Sequence, residues 1–435
     1  MTRHILMPLS IALAAALCSC GGSSGGGGGN PTITSVTVSC FNTVLQAGQS
    51  NQCTATVKGT GSFSKSVNWS ASAGSVSNGG VFTDSSASGT VTITATSTQD
   101  STKSGTASVA VNAAQKSNFT YGGITEVSWS QGEYSSAPAV TAEDDLAAAG
   151  GNWAGVLVTW YQDNATSTTI SAATFSPSDA DVVAAITELH NQGLKVMLKP
   201  HVDALDGSWR GTFLPPPSGM NAWFSSFQSF ILHWATIAQS NGVEMLCFGT
   251  EYKDLSGANL ANWTSTINLI RGIYSGKLTY AANATGAGDE FTSVVFWDQV
   301  DVIGLDAYFP LTNQSDPTLA QLVSAWSNNK NGENIVAAIT NFKGAHPTKP
   351  LIFTEIGYRS LSGTNTAPWD FTMTGNIDGI EQQNCYEAMY EVWSQHPTVM
   401  TGNFWWAWAV PVPTSTDTDY TPWNKPAETV LRAWQ

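Results

Sequence analysis

Apolar and polar positions follow three regimes along this chain. Ile5 to Leu17 is an apolar run with Ser10 as its one polar residue. From Pro31 to about Val111, short stretches alternate, as in Val36 to Ser39, Val67 to Ala71 and Val91 to Thr96. Alternation with period two predicts half-buried strands, and the Gly and Asn clusters between them predict turns at the spacing of a β-sandwich. Beyond residue 118, short apolar blocks alternate with segments of helical period. The blocks predict strands at Gly123–Ser128, Ala154–Trp160, Lys195–Lys199, Val243–Gly249, Leu278–Ala282, Val302–Leu305, Leu351–Thr354 and Asn403–Trp408. Ser178 and Asp181 cap a helix over 182–192, and Gly193 stops it. Eight apolar strands with helical crossovers predict a (β/α)₈ barrel. The rival open sheet lacks its phosphate loops, because no GxGxxG follows the first strand and no GxxxxGK[ST] occurs.

The expected organisation is a signal peptide at 1–19, a Gly/Ser-rich tether at 20–30, an all-β domain at 31–113 and the barrel at 118–435. Arg3 and His4 precede an apolar run too short to span a bilayer, which marks a targeting segment. Leu17-Cys18-Ser19-Cys20 resembles a bacterial lipobox, with Cys20 as the lipidated residue. That resemblance implies an exported protein, lipid-anchored to a bacterial membrane, with the outer membrane or cell surface expected. Cys40 and Cys53 lie close together in the β-rich region, where a disulfide between neighbouring strands is expected. Cys247 and Cys385 read as small buried hydrophobes.

Charge narrows the partners. With 435 residues, 11% charged and a net charge of −15, the chain has no basic patch for a nucleic-acid backbone. Seventeen tryptophans supply flat faces of the kind that stack on sugar rings, although most tryptophans simply fill cores. A monomer is expected.

Two carboxylates end two of the predicted strands. Val243–Glu251 and Pro350–Glu355 are apolar runs that each close on a glutamate. Counted along the barrel, Glu251 closes the fourth strand and Glu355 the seventh, so both belong at the C-terminal mouth, where barrel chemistry takes place. Paired carboxylates in one cleft are the minimum equipment for glycoside hydrolysis.

The stretches Met197–Asp203, Phe248–Glu251, Val302–Pro310 and Phe353–Arg359 resemble glycoside hydrolase family 113, the clan A β-1,4-mannanases. The resemblance spans most of 120–435. It implies a retaining hydrolase of β-mannan or manno-oligosaccharides, with Glu355 as nucleophile, Glu251 as acid/base and Tyr308 hydrogen-bonded to Glu355. Clan A usually has Asn before the acid/base; here Thr250 stands there, in the Gly-Thr-Glu form of this family. No cofactor is implied. The alternatives are a clan A glycosidase for another β-linked glucan, xylan or oligosaccharide, and a non-catalytic glycan-binding lipoprotein. Val67–Ser70, Gly79–Phe82 and Ser88–Ser97 resemble bacterial immunoglobulin-like domains, modules that usually act as spacers, with Trp69 in the core.

Further substrate-binding candidates end neighbouring strands: Trp160, Lys199, His201, Asp203, Asn283, and Trp406 or Trp408, which strand alternation places on one face away from Trp405. Trp209 and Arg210 follow the third strand as a subsite wall or a surface contact. His201 with Asp203 finds no third ligand at a telling spacing, so no metal is expected. Glu126, Asp163 and Asp306 are the competing carboxylates near the mouth.

Overall fold

The computed structural model describes residues 30–84, 88–113, 116–414 and 416–435. The apolar leader, Cys20 and most of the tether lie outside the described residues. Two four-stranded sheets form the N-terminal unit. One holds Thr32–Cys40, Ser50–Thr60, Val81–Thr83 and Ser75–Val76; the other holds Val44–Gln46, Ser104–Asn112, Gly89–Ser97 and Val67–Ala71. Val91, Ile93, Ala95 and Ser97 are buried at period two, as the alternation predicts; Val91 and Ile93 meet Leu45, Cys53, Phe82 and Val109 in a core shared by both sheets, and Ala95 packs with Ile33, Val36 and Val57. Trp69 is half-buried beside this core. Cys40 and Cys53 are direct cross-strand partners and form the expected disulfide. Cys247 and Cys385 are free and buried.

The C-terminal unit is a closed barrel of eight parallel strands. In chain order they are Tyr121–Val127, Trp153–Gln162, Lys195–Ala204, Met245–Thr250, Lys277–Ala284, Val302–Ala307, Leu351–Ile356 and Gly402–Ala409, and the eighth pairs with the first. The lower barrel is filled by inward side chains that include Tyr121, Trp153, Met197, Met245, Val302 and Phe404. Side chains of opposite parity point out and pack under the helices. Ser178 and Asp181 form a reciprocal capping box at the start of Asp179–Asn191, and Gly193, at φ +82°, turns the chain toward the third strand. Among the described residues, no helix is long and apolar enough to cross a membrane.

The two units are docked against each other. Helix Gly379–Trp393 buries nearly its whole circumference, including Gln382, Gln383, Asn384 and Glu387. Gln383, Asn384 and Glu387 meet the sandwich, whereas Gln382 donates to the Tyr358 and Tyr420 carbonyls of the barrel unit. Asn42 Nδ2 donates to Asn384 Oδ1 at 2.8 Å, and Gln49 donates to Glu387, which also accepts from Trp434 Nε1. Burial pushes the Glu387 carboxyl up to about 8, against the donors that favour its charge. These bonds tie the sandwich to the barrel through buried side chains.

Candidate active site

The third, fourth, sixth and seventh strands converge at the barrel mouth. Glu355 is 5% exposed. Its Oε2 accepts from Tyr308 Oη at 2.8 Å, and its Oε1 accepts from Lys199 Nζ. Lys199 is completely buried and also donates to both oxygens of Asp306, at 3.0 and 3.1 Å. Burial opposes the Lys199 charge, but Asp306 and Glu355 outweigh it and hold the ammonium well above its usual range. Thr354 Oγ1 adds a 2.8 Å bond to Asp306. Lys199 is thus committed to two carboxylates instead of facing a sugar. Tyr308 stays a phenol, because burial and the adjacent Glu355 push its pKa well up.

His201 Nε2 lies 3.5 Å from Glu355 Oε1, and its ring stacks on Trp406 with centroids 6.1 Å apart and planes 3° apart. Burial, then Arg210 and Lys199, hold its pKa well below the usual value. The imidazole is therefore neutral, and its contact with Glu355 is not an ion pair.

Glu251 sits across the mouth with a different set of donors. Asn283 Nδ2 donates to Oε1 at 3.0 Å, while Trp209 Nε1 and Arg210 Nη1 both reach Oε2 at 3.2 Å. Arg210 is itself gripped by Asp203 Oδ1 through Nη2 at 2.6 Å and Nε at 2.9 Å. The Glu251 backbone is left-handed, with φ +54°, a conformation costly for a residue with a Cβ. Neighbouring bonds hold it: Glu251 N–H to the Ala281 carbonyl at 2.8 Å, and Tyr252 N–H to Tyr280 Oη at 2.8 Å.

Beneath Asn283 lies Glu290, a buried carboxylate from the loop after the fifth strand. It accepts from Tyr280 Oη at 2.6 Å, Ser256 Oγ at 2.7 Å and Asn283 N–H at 2.7 Å. Burial pushes it up to about 7 despite these donors. The sequence reading missed Glu290 because its partners come from two separate segments, the fifth strand and the short helix Lys253–Ser256. It also left the purpose of Trp209 and Arg210 open. Only their position in the loop after the third strand pointed toward the mouth.

Four expectations fail, each for a reason of strand geometry. Trp160 points outward onto Phe230, His233 and Trp234 of helix Met220–Ser240; the mouth residue of the second strand is Tyr161, one position on. Trp408 is fully buried outside the barrel, stacked on Trp423 and donating to the Ala142 carbonyl at 2.8 Å. The pairing of the eighth strand with the first slips between Trp406 and Trp408, so alternation does not carry across it. Trp406 alone of the two faces the mouth, with Trp129 edge-on at 6.4 Å. Trp405 stacks on Tyr386 among the helices, as alternation predicts. Glu126 also turns outward, where its buried carboxyl meets that of Glu143. Asp163 is exposed beyond the end of the second strand. Asp306 alone of the competing carboxylates belongs to the site.

Comparison with known proteins now bears on this arrangement. The sequence profile described as Glycoside Hydrolase Family 113 matches residues 119–425. Among solved structures, the chain is similar to the GH113 β-mannanase AaManA from Alicyclobacillus acidocaldarius in complex with ManMIm. The two share 29% identity over 73% of this chain and 96% of that one, with a TM-score of 0.63. A second similar structure, a complex of a GH113 β-1,4-mannanase, shares 23% identity over 73% of this chain and 98% of that one, with a TM-score of 0.61, and speaks for the fold alone. No curated protein matches the chain. The profile runs from just before the first barrel strand to beyond the eighth, far more than the catalytic strands alone, so the chain belongs to glycoside hydrolase family 113.

Proposed function

We propose that the barrel hydrolyses β-1,4-mannan or manno-oligosaccharides with retention, using Glu355 as nucleophile and Glu251 as acid/base. The observation that carries this reading is the unequal treatment of two buried carboxylates at one mouth. Glu355 is held by a buried ammonium and a phenol, each donating to one oxygen of the carboxyl that would attack. Glu251 is held at the rim by Asn283, Trp209 and Arg210, on the side open to a leaving group. Attack by Glu355 on the anomeric carbon gives a glycosyl-enzyme as Glu251 protonates the departing oxygen. Glu251 then takes a proton from water, which attacks the same carbon and releases Glu355. Trp406 and neutral His201 offer a flat wall for the reacting sugar.

Mannan is favoured over other β-glycans by the similarity to AaManA, whose bound ligand is ManMIm. The test is the release of reducing sugar from β-mannan, xylan, cellulose and β-1,3-glucan, with Glu355→Ala alongside. Mannan cleavage that disappears in the variant supports the assignment. Cleavage of a different glycan overturns the substrate and keeps the mechanism.

The lipid anchor at Cys20 and export to the cell surface complete the proposal. They rest on the lipobox-like sequence. Metabolic labelling with an alkyne fatty acid, lost in Cys20→Ala, is the expected result; labelling that survives the substitution removes Cys20 as the anchor.

A further inference from the structure

We propose that Glu290 is the positioning residue of the acid/base, fixing Glu251 from two sides at once. This rests on the assignment of Glu251 made above. Two of the bonds come from backbone N–H groups, which can only donate. Asn283 presents its amide nitrogen to Glu251 Oε1 at 3.0 Å. The backbone N–H of the same Asn283 donates to Glu290 Oε2, which fixes where that side chain starts. On the other side, Tyr280 Oη accepts the Tyr252 N–H, and its own proton goes to Glu290 Oε1. Tyr252 directly follows Glu251, so this bond helps hold the left-handed backbone from which the Glu251 side chain departs. One buried carboxylate therefore governs both the hydrogen-bond partner of the acid/base and the direction of its Cα–Cβ bond. The third bond to Glu290 comes from Ser256 Oγ at the end of the short helix Lys253–Ser256; the Ser256 backbone N–H, which a Ser256→Ala change keeps, donates to the Tyr252 carbonyl at 2.8 Å.

Replacing Glu290 by Gln keeps its shape but turns one acceptor into a donor. Turned toward Asn283, the new amide hydrogens meet its N–H and that bond breaks; turned toward Tyr280 and Ser256, both hydroxyl bonds must reverse direction and the charged acceptor is lost.

The test uses the full chain and two substrates. Mannan has a leaving oxygen that must be protonated, whereas a 2,4-dinitrophenyl β-mannobioside releases a phenolate that needs no proton. Glu251→Ala serves as the reference. Glu290→Gln is expected to lower kcat/KM on mannan by roughly 10²-fold, within the range that general acid catalysis supplies. On the dinitrophenyl substrate kcat/KM stays near wild type, and azide, which attacks the glycosyl-enzyme without a base, raises kcat. Tyr280→Phe keeps the packed ring and cuts only the Tyr252 path, so it shows the same selectivity and carries the test if the Gln variant does not fold. Ser256→Ala remains near wild type on both substrates. Equal losses on the two substrates, or no loss on mannan, overturn the proposal and leave Glu290 a structural carboxylate. If the wild type ignores mannan, the substrate reading fails on its own, and the comparison is run on the glycan that is cleaved and its dinitrophenyl glycoside. If Glu251→Ala lacks the selectivity, the acid/base assignment fails before Glu290 is judged.

Discussion

Ser50 and Gln383 exchange two hydrogen bonds across the boundary between sandwich and barrel: Ser50 N–H donates to Gln383 Oε1 at 3.1 Å, and Gln383 Nε2 donates back to the Ser50 carbonyl at 2.6 Å. Both residues are buried. A side chain that satisfies the main chain of another domain in this way acts like an extra rung of its sheet. Gln383→Ala leaves both Ser50 groups unpaired in a buried interface, at a cost of about 1–3 kcal/mol. We expect a lower thermal midpoint and unchanged kcat, because no residue of the mouth touches this pair. The segment 118–435 alone uncovers Asn384 and Glu387 as well, and is expected to melt below the full chain. A barrel that melts at the same temperature without its sandwich would refute the docking argument.

Trp406 and Trp408 separate binding from stability. Trp406→Ala is expected to lower kcat/KM on mannan by roughly tenfold or more, as the loss of about 1.4 kcal/mol at the reacting sugar implies, with little change in melting. Trp408→Ala removes a ring packed on Trp423 and is expected to cost about 3–5 kcal/mol of stability. Thermal melts and mannan kinetics on the two variants check both halves. The opposite pairing of effects would reverse the assignment of the eighth strand.

Lys199 is the only cation touching both Asp306 and Glu355 among the described residues. In Lys199→Met two buried carboxylates face each other without it, and breaking such a pair costs about 3–5 kcal/mol. Loss of both melting temperature and kcat is expected. Tyr308→Phe keeps the cation and is expected to lose kcat with a much smaller change in melting. If Lys199→Met melts like the wild type, the ion pair does not hold the site together.

The outward pair Glu126 and Glu143 sets a pH dependence. Burial first, then the neighbouring carboxylate, pushes Glu126 well above the usual range; burial and Glu188 bring Glu143 to about 8, with Glu133 and Asp144 also nearby. Because the folded values lie above the unfolded one near 4.5, the fold holds protons that the unfolded chain releases. Stability from this pair is complete below about pH 4.5 and declines as pH rises toward about 8. Glu143→Gln needs no proton, so it is expected to melt above wild type at pH 8, with the gap closing toward pH 4.5. A gap that is constant with pH, or absent at pH 8, rules the pair out as the source.

What could be read from the sequence follows the range of the interactions. Glu251 and Glu355 were legible because a buried parallel strand is a short apolar run, and each run ends in a carboxylate. The disulfide was legible for the same local reason. Trp160 was misplaced by one residue, since an all-apolar strand gives no internal sign of which parity faces in. Trp408 was misplaced because alternation assumes unbroken pairing, and the pairing slips just before it. The docking helix Gly379–Trp393 was opaque: Gln383, Asn384 and Glu387 look like a solvated face until a second domain covers them. Glu290 was opaque because its purpose lies in bonds to Ser256, Tyr280 and Asn283, which no spacing in the sequence ties to it.

The left-handed backbone at Glu251 carries a consequence for anyone reshaping this enzyme. Glycine is the residue most at ease at a positive φ, and it would relieve about 1–3 kcal/mol of backbone strain there. It would also delete the carboxylate that we propose as the acid/base. Screens that select only for heat resistance therefore push this position toward inactive protein, and a library meant to harden the fold should leave residue 251 untouched.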